Sequence, residues 1–415
     1  MLKIQFAVTH SAPGGLLELW NDISEGLAAR GHMVQRFGIY PELNEPAPGP
    51  AWLHIGATRP RTPLAGIRTF FKLMSFLRRE RPDAIVTGMP AANVIIPLAA
   101  FLSGVSTKVI ATHHSPIETH NPKLNSLDNL TGLLPNVHAI MSVSNTVAGS
   151  LSSKSRRYLR KSHTIRNALP GHIERLLATL ASAPPRIASK DRRVVALGRL
   201  AYQKNYPMLI SAIARLPNTH LAIAGGGEDE ASLRQQAMDE GSADRIDFLG
   251  YLSREEALRE AAKADIFVQV SHFEGHSLAL IEAARLGLPL IVSDVPVQVE
   301  GVTAKDGTCC GLIVPLGDVQ GLSNIIDRLL SDPISYRFWA ERALKLGRDS
   351  SNSQMIDDYE QMIRSAAGQS ATSKPATTIP QSASLNIANT PSQNPEIAST
   401  THHAAEDIIN IPLKT

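Results

Sequence analysis

The sequence predicts an α/β protein built on two parallel sheets, and three observations carry that prediction. Its 415 residues exceed what one ordinary core accommodates. Apolar runs of strand length alternate with amphipathic runs of helical length from the amino terminus to about residue 330. A Pro-, Ser- and Ala-rich stretch ending at Ser189 interrupts the alternation and divides it into two sets.

The first set opens with IQFAV as a buried strand, a helix ending near Arg30, and HMVQRF as the next strand. A long helix near residues 64–80, the strand AIVTG, a helix near 91–103 and the strand KVIAT follow, and HAIMSVS and HTIRNA close the set. The second set begins with RVVALG, continues through a helix over Tyr206–Leu216, HLAIAG, a helix over Glu228–Glu240, RIDFLG and a short helix. Asp265–Ser271 then reads as a buried strand, Leu278–Leu286 as a helix closed by Gly287, and Leu288–Asp294 as another strand, a βαβ unit. GLIVP and the helix Val319–Leu330 end it. The domains expected are 1–170 and 191–345, joined by a linker over 171–190, with a helix over 346–366 packing back on the first domain. From 367 to 415 the chain is rich in Ser, Thr, Ala, Pro, Gln and Asn and nearly free of aromatics, so a disordered tail is expected. The final EDIINIPLKT regains apolar character, as a short docking motif or a frayed end.

Apolar residues at 43% suffice for two cores, and a net charge of +3 argues against a nucleic-acid partner. Cys309 and Cys310 are adjacent and cannot staple the chain, which favours a reducing compartment. The opening MLKIQFAVTH reads as a strand rather than a secretory signal. Val94–Val105 contains Pro97 and falls short of the roughly 18 residues a membrane span needs. A cytoplasmic protein is expected, soluble or peripheral at the inner face of the membrane. The helix GIRTFFKLMSFLRRERPD sets Phe70, Phe71, Met74 and Leu77 beside Arg68, Lys72, Arg78 and Arg79. Two readings stand: it lies on an anionic membrane, or it packs its apolar stripe on the first sheet with the basic residues in water. Lys154, Arg156, Arg157, Arg160 and Lys161 form a second basic patch, for a phosphate-bearing acceptor or for nothing.

Function is most legible at Glu274 and Glu282, with seven residues between them in the βαβ unit. Parallel-sheet units bind ligands at the carboxyl ends of strands, where Glu274 falls. Ser277 reads as a helix N-cap, so the amides of Leu278 and Ala279, with the positive end of the helix dipole, favour an anion there. Carboxylates accept hydrogen bonds from adjacent hydroxyls, so anion and carboxylates together imply a phosphorylated sugar. Gly225, Gly226 and Gly227 follow a strand and permit close backbone approach by a nucleotide. Gly14 and Gly15 end the first strand, as ligand loop or as tight turn. Glu228, Asp229 and Glu230 at a helix start read as dipole compensation.

GRLAYQKNYPMLISAIARL, LAIAGGGE, RIDFLGYL, EGHSLALIEAARLGLPLIVSD and CCGLIVPLGDVQGLSNIIDRLLSD occur in one order. Together they resemble the group 1 glycosyl transferases of retaining family four, with the E-x7-E motif. SAPGG, LAARGHMV, ATHHSP, MSVSNTV and TIRNALP match more loosely, extending the resemblance over about residues 1–365. It implies the GT-B architecture, two Rossmann-like domains facing across a cleft, and retaining transfer of a sugar from a UDP- or GDP-linked donor. The acceptor implied is a saccharide or lipid-linked saccharide, in surface polysaccharide or glycolipid assembly. Arg199 and Lys204 would hold the donor diphosphate, Glu274 would lie by the transferred sugar, and Glu282 would bind the ribose hydroxyls. The amides of Ser277 and Leu278 would approach sugar and phosphate, and the Gly14–Gly15 loop would reach toward the donor. His114 would contact the donor sugar with His113 its structural neighbour, Asn167 would be structural, and Gly250–Leu252 would meet the base through backbone groups. No DxD-type pair stands beside a convincing strand, so no metal and no cofactor are implied. The chain departs from many members at His276 and Ser277, where they have an aromatic residue and glycine. Other readings are a non-catalytic binding or scaffold protein, and a sugar nucleotide epimerase or phosphorylase of the same architecture.

Overall fold

A computed structural model describes residues 1–11, 14–41, 52–181 and 192–369. The end of the expected linker and nearly all of the expected tail lie outside them.

The first alternating set folds as β1 (Lys3–His10), α1 (Gly15–Ala29), β2 (Met33–Tyr40), β3 (Leu53–His54), α2 (Pro63–Glu80), β4 (Ala84–Gly88), α3 (Pro90–Leu102), β5 (Lys108–His113), α4 (Pro122–Thr131), β6 (Val137–Ser142), α5 (Asn145–Ser150), α6 (Arg156–Leu159) and β7 (Ser162–Thr164). Its strands pair in parallel in the order β3-β2-β1-β4-β5-β6-β7. After α7 (Gly171–Ala181) the second set gives β8 (Arg193–Leu197), α8 (Tyr206–Ala214), β9 (His220–Ala224), α9 (Glu230–Asp239), β10 (Ile246–Phe248), α10 (Arg254–Ala261), β11 (Ile266–Gln269), α11 (Leu278–Arg285), β12 (Leu290–Ser293), α12 (Pro296–Gly301), β13 (Leu312–Val314), α13 (Val319–Ser331), α14 (Pro333–Arg348) and α15 (Asn352–Ala366). This sheet is also parallel, in the order β10-β9-β8-β11-β12-β13. Strand order reverses between β1 and β4 in one lobe and between β8 and β11 in the other, and these switch points open crevices at the carboxyl ends of the strands.

Strands buried on both faces explain the near-continuous apolar runs: Ala84–Gly88 and Ile266–Gln269 are buried throughout. Three departures from expectation have local causes. Residues 171–181, read as linker, form α7, whose Ile173 and Leu177 pack against Leu258 and Ile281. The helix expected over 346–366 is two helices: α14 runs to Arg348, and Ser351 caps α15 through the Gln354 amide, 3.3 Å away. Helix α15 leaves the second lobe and buries Met355, Ile356, Tyr359 and Ile363 in the core of Phe6 and Trp20. Finally, α2 packs on the first lobe through Leu73, Met74, Phe76 and Leu77, while Phe71, expected in that stripe, is exposed. No helix among the described residues is long and apolar enough to cross a membrane.

Candidate active site

The loop after β8 and the loop after β11 meet at the switch point of the second sheet. Gly198 has φ +137°, in the region that favours glycine, and a Cβ there would lie 2.7 Å from Cε of Lys204. The bare backbone lets the lysine fold back over it. Asn205, also at positive φ, donates to the carbonyl of Val270 at 3.0 Å, and Tyr206 donates to the carbonyl of Gly198 at 2.9 Å, so the loop is pinned on both sides. Lys204 Nζ then reaches Glu274 Oε1 at 2.7 Å. The same oxygen accepts from Ser271 Oγ at 2.9 Å, and Oε2 accepts from Gln203 Nε2 at 3.3 Å. Arg199 opens the same loop as Lys204, is exposed, and has no partner among the described residues. Of the three residues read from sequence as one group, Lys204 and Glu274 are paired, and Arg199 stands on the same loop as Lys204.

The start of α11 supplies the second part. Ser277 Oγ accepts from the Leu280 amide at 3.3 Å and donates to Gln269 Oε1 at 2.8 Å. Gln298 fixes Gln269 in turn through bonds of 2.9 and 2.7 Å, so the N-cap is oriented from beneath. The first-turn amides, Leu278 included, have no intrahelical acceptor and carry the positive end of the dipole. Glu282, one turn on, is buried, and its Oε1 accepts from Arg254 Nε at 2.7 Å. Arg254 Nη1 reaches Asp22 Oδ2 at 3.2 Å and Glu18 Oε2 at 3.9 Å, both on α1 of the other lobe. Burial pushes the Glu282 carboxyl up while Arg254 draws it down, and burial lifts Asp22 to about 6 against the same guanidinium. The Glu282 Oε2 atom accepts from none of the described residues. Arg254 and Asp22 were not singled out from sequence, where each reads as an ordinary helix charge.

The first lobe meets this site through its strand ends. A Cβ on Gly275 would fall 1.9 Å from the carbonyl oxygen of His114 and 3.3 Å from Val143 Cγ2, so glycine between Glu274 and His276 allows the lobes to touch here. We expect Gly275→Ala to force the loop off β5 and to lower turnover at least tenfold while leaving each sheet intact; steady-state rates beside a thermal melt check this. The ring of His114 bonds Thr112 Oγ1 through Nε2 at 2.8 Å and meets the edge of Trp20. Burial, assisted by His113, pushes it down to about 3, so it is neutral at physiological pH. His113 turns away to Tyr158 at 2.8 Å, and Tyr158 bonds Asp128, which also pairs with Lys154 at 2.8 Å. Asn167 Nδ2 donates to the carbonyl of His276 at 3.0 Å. Glu300 on α12 accepts from the amides of Asn145 and Thr146 at 2.8 and 2.7 Å, capping α5 across the lobes, and pairs with Arg166 at 3.1 Å. Glu300 too was missed, because nothing in VPVQVEG marks its partner.

Several expectations change. At Gly225, Gly226 and Gly227 the close approach is made by protein: a Cβ would lie 2.1 Å from the Gly198 carbonyl oxygen, 2.5 Å from the Tyr251 ring and 2.2 Å from the Leu200 carbonyl oxygen, respectively. Leu252 is half-buried against the second core. Gly14 and Gly15, by contrast, face open space at the start of α1. Of the second basic patch, Lys154 is buried on Asp128 and Lys161 donates to the carbonyls of Gly132, Leu134 and Val137, leaving Arg156, Arg157 and Arg160 exposed.

Residues 179–346 match the family described as Glycosyl transferases group 1, and residues 13–170 match Glycosyltransferase Family 4. The chain belongs to glycosyltransferase family 4. It is similar to the lipopolysaccharide core biosynthesis glycosyltransferase LpsE of Rhizobium meliloti, 30% identical over 175 residues, 41% of this chain and 49% of that one. It is also similar to the amylovoran biosynthesis glycosyltransferase AmsD of Erwinia amylovora, 27% identical over 260 residues, 60% and 69% of the two chains. The matches span about half the length or less of the first curated relatives. Anabaena Alr3699/HepE, solved with UDP and glucose, superposes with a TM-score of 0.71 at 16% identity, over 88% of this chain and 100% of that one. At that identity the likeness shows the fold, and the fold of this family 4 chain is the expected GT-B architecture.

Proposed function

We propose that this chain is a retaining glycosyltransferase that moves a sugar from a nucleoside diphosphate sugar to a saccharide or lipid-linked saccharide acceptor in surface polysaccharide or glycolipid assembly. The observation that carries the reading is the convergence of Lys204, Glu274, open Arg199 and the first turn of α11 at one switch point. Names among the relatives support a nucleotide-linked donor and leave the base open between UDP and GDP: one structural neighbour was solved with UDP-glucose, and one relative is GDP-mannose-dependent.

In this reading Arg199, Lys204 and the α11 amides stabilise the charge that grows on the departing diphosphate. The bond from the anomeric carbon to the phosphate oxygen breaks, the acceptor oxygen bonds that carbon from the same face, and the acceptor proton passes to a phosphate oxygen. No protein nucleophile takes part. Glu274 contacts hydroxyls of the sugar and stabilises positive charge near its anomeric carbon, and His114 contacts the sugar as a neutral ring. Glu282 binds the ribose through its open Oε2, and protein cations take the place of a metal.

The test is a thermal-shift panel of UDP, GDP, ADP and their sugar conjugates on the full chain, with and without EDTA. A ligand at 100 times its Kd stabilises by about 2.7 kcal/mol. We expect one nucleotide to raise Tm with or without chelator, and the response to vanish in Glu282→Ala. A flat panel would instead favour a scaffold protein with a relic site.

A further inference from the structure

From Arg59 to Glu80 the chain carries six basic residues and one acid, a local net charge of +5 where the whole chain is +3. Helix α2 dominates this stretch, and it has two apolar faces. One is the buried face of Leu73, Met74, Phe76 and Leu77. The other consists of Leu64, Ile67 and Phe71, which are 70%, 54% and 62% exposed. At 3.6 residues per turn these three fall within an arc of roughly 60°, opposite Leu73 and Leu77. An amphipathic helix in a globular lobe needs the first stripe; the second is left exposed by the described residues.

The cations around the second stripe are unengaged. Arg59, Arg61, Arg68 and Lys72 are exposed and pair with no carboxylate among the described residues. Arg78 donates to the carbonyl of Ser103, and Arg79 pairs with Glu80. Arg68 and Lys72 fall one and two turns on from Leu64, about 40° and 80° round the helix from it, so apolar and cationic groups border on one outward surface.

We infer that this outer face of α2 docks on an anionic lipid bilayer. Large apolar side chains enter the boundary between headgroups and acyl chains while flanking cations meet lipid phosphates, and each half of the surface suits that partner. A nucleic acid would use the charges and leave the apolar stripe in water. The inference goes beyond the proposed transfer reaction, and its test does not require turnover.

The experiment is co-sedimentation of the full chain with vesicles of phosphatidylcholine and of equimolar phosphatidylcholine and phosphatidylglycerol. Two variants accompany it, Leu64→Ser/Phe71→Ser and Arg68→Ala/Lys72→Ala; all four positions are exposed, so Tm should match wild type. Wild type should sediment with the anionic vesicles only, and each variant should bind at least about tenfold more weakly. Three outcomes would overturn the inference: no sedimentation of wild type with anionic vesicles, variants that sediment like wild type, or a wild-type dimer in solution that both variants abolish, which would make the face a contact between copies.

Discussion

Replacing Lys204 by alanine should lower kcat by roughly 10²–10³ while changing donor affinity much less, the magnitude typical of removing one preorganised donor to a developing charge. The side chain is held ready for this: it lies over bare Gly198, with Nζ at 2.7 Å from Glu274. In the proposed reaction, donor binding keeps Arg199 and the α11 amides, whereas the departing phosphate loses one cation. Glu274 retains Ser271 and Gln203 as donors, so the loop should keep its shape. Single-turnover transfer rates beside nucleotide thermal shifts separate the two effects. An unchanged kcat would remove Lys204 from the chemistry and leave its ion pair as structure.

Glu282→Ala should abolish both the nucleotide response and detectable transfer, a loss of at least about 10² if the ribose hydroxyls are held as proposed. It should also destabilise the protein, by about 3 kcal/mol at most, because Arg254 loses its 2.7 Å partner and keeps only Asp22 and the more distant Glu18. Glu282→Gln distinguishes the two consequences. Its amide oxygen still accepts from Arg254, so most stability should return, while the charge-assisted bond to ribose weakens and the affinity for nucleotide stays low. If Glu282→Gln melts like wild type and binds nucleotide equally well, the carboxylate is a strut between lobes and not a ligand site.

If Glu282 holds the donor as proposed, the donor and the lobe contact share one carboxylate. Glu282 faces Arg254 with one oxygen, and Arg254 holds α1 of the other lobe through Asp22. The lobes are further joined where Gly275 meets His114 and where Glu300 caps α5. These attachments surround the loop that carries Glu274, so the approach of the lobes and the geometry of the site are set by the same few residues.

Much of this was legible in the sequence. Apolar runs buried on both faces, separated by amphipathic helices, dictate parallel sheets, and the Pro-, Ser- and Ala-rich break ending at Ser189 divides them into two. Lys204 and Glu274, read from sequence as parts of one site, are in contact, because the loops that carry them leave the carboxyl ends of the neighbouring strands β8 and β11. What the sequence could not determine is which surface each side chain meets across the fold. The three glycines at 225–227 read from sequence as room for a nucleotide, and the packed loops put Gly198, Leu200 and Tyr251 against them. Lys154 and Lys161 look like surface cations until folding brings Asp128 and three carbonyls to them. Arg254, Asp22 and Glu300 carry no local signal at all, since Arg254 and Glu282 are 28 residues apart, Asp22 and Arg254 232, and Glu300 and Asn145 155. Phe71 is a core residue by composition and an exposed one by position on α2. Periodicity fixes an element and its buried face through short-range backbone geometry, whereas a long-range polar contact exists only once tertiary packing has chosen which elements are neighbours.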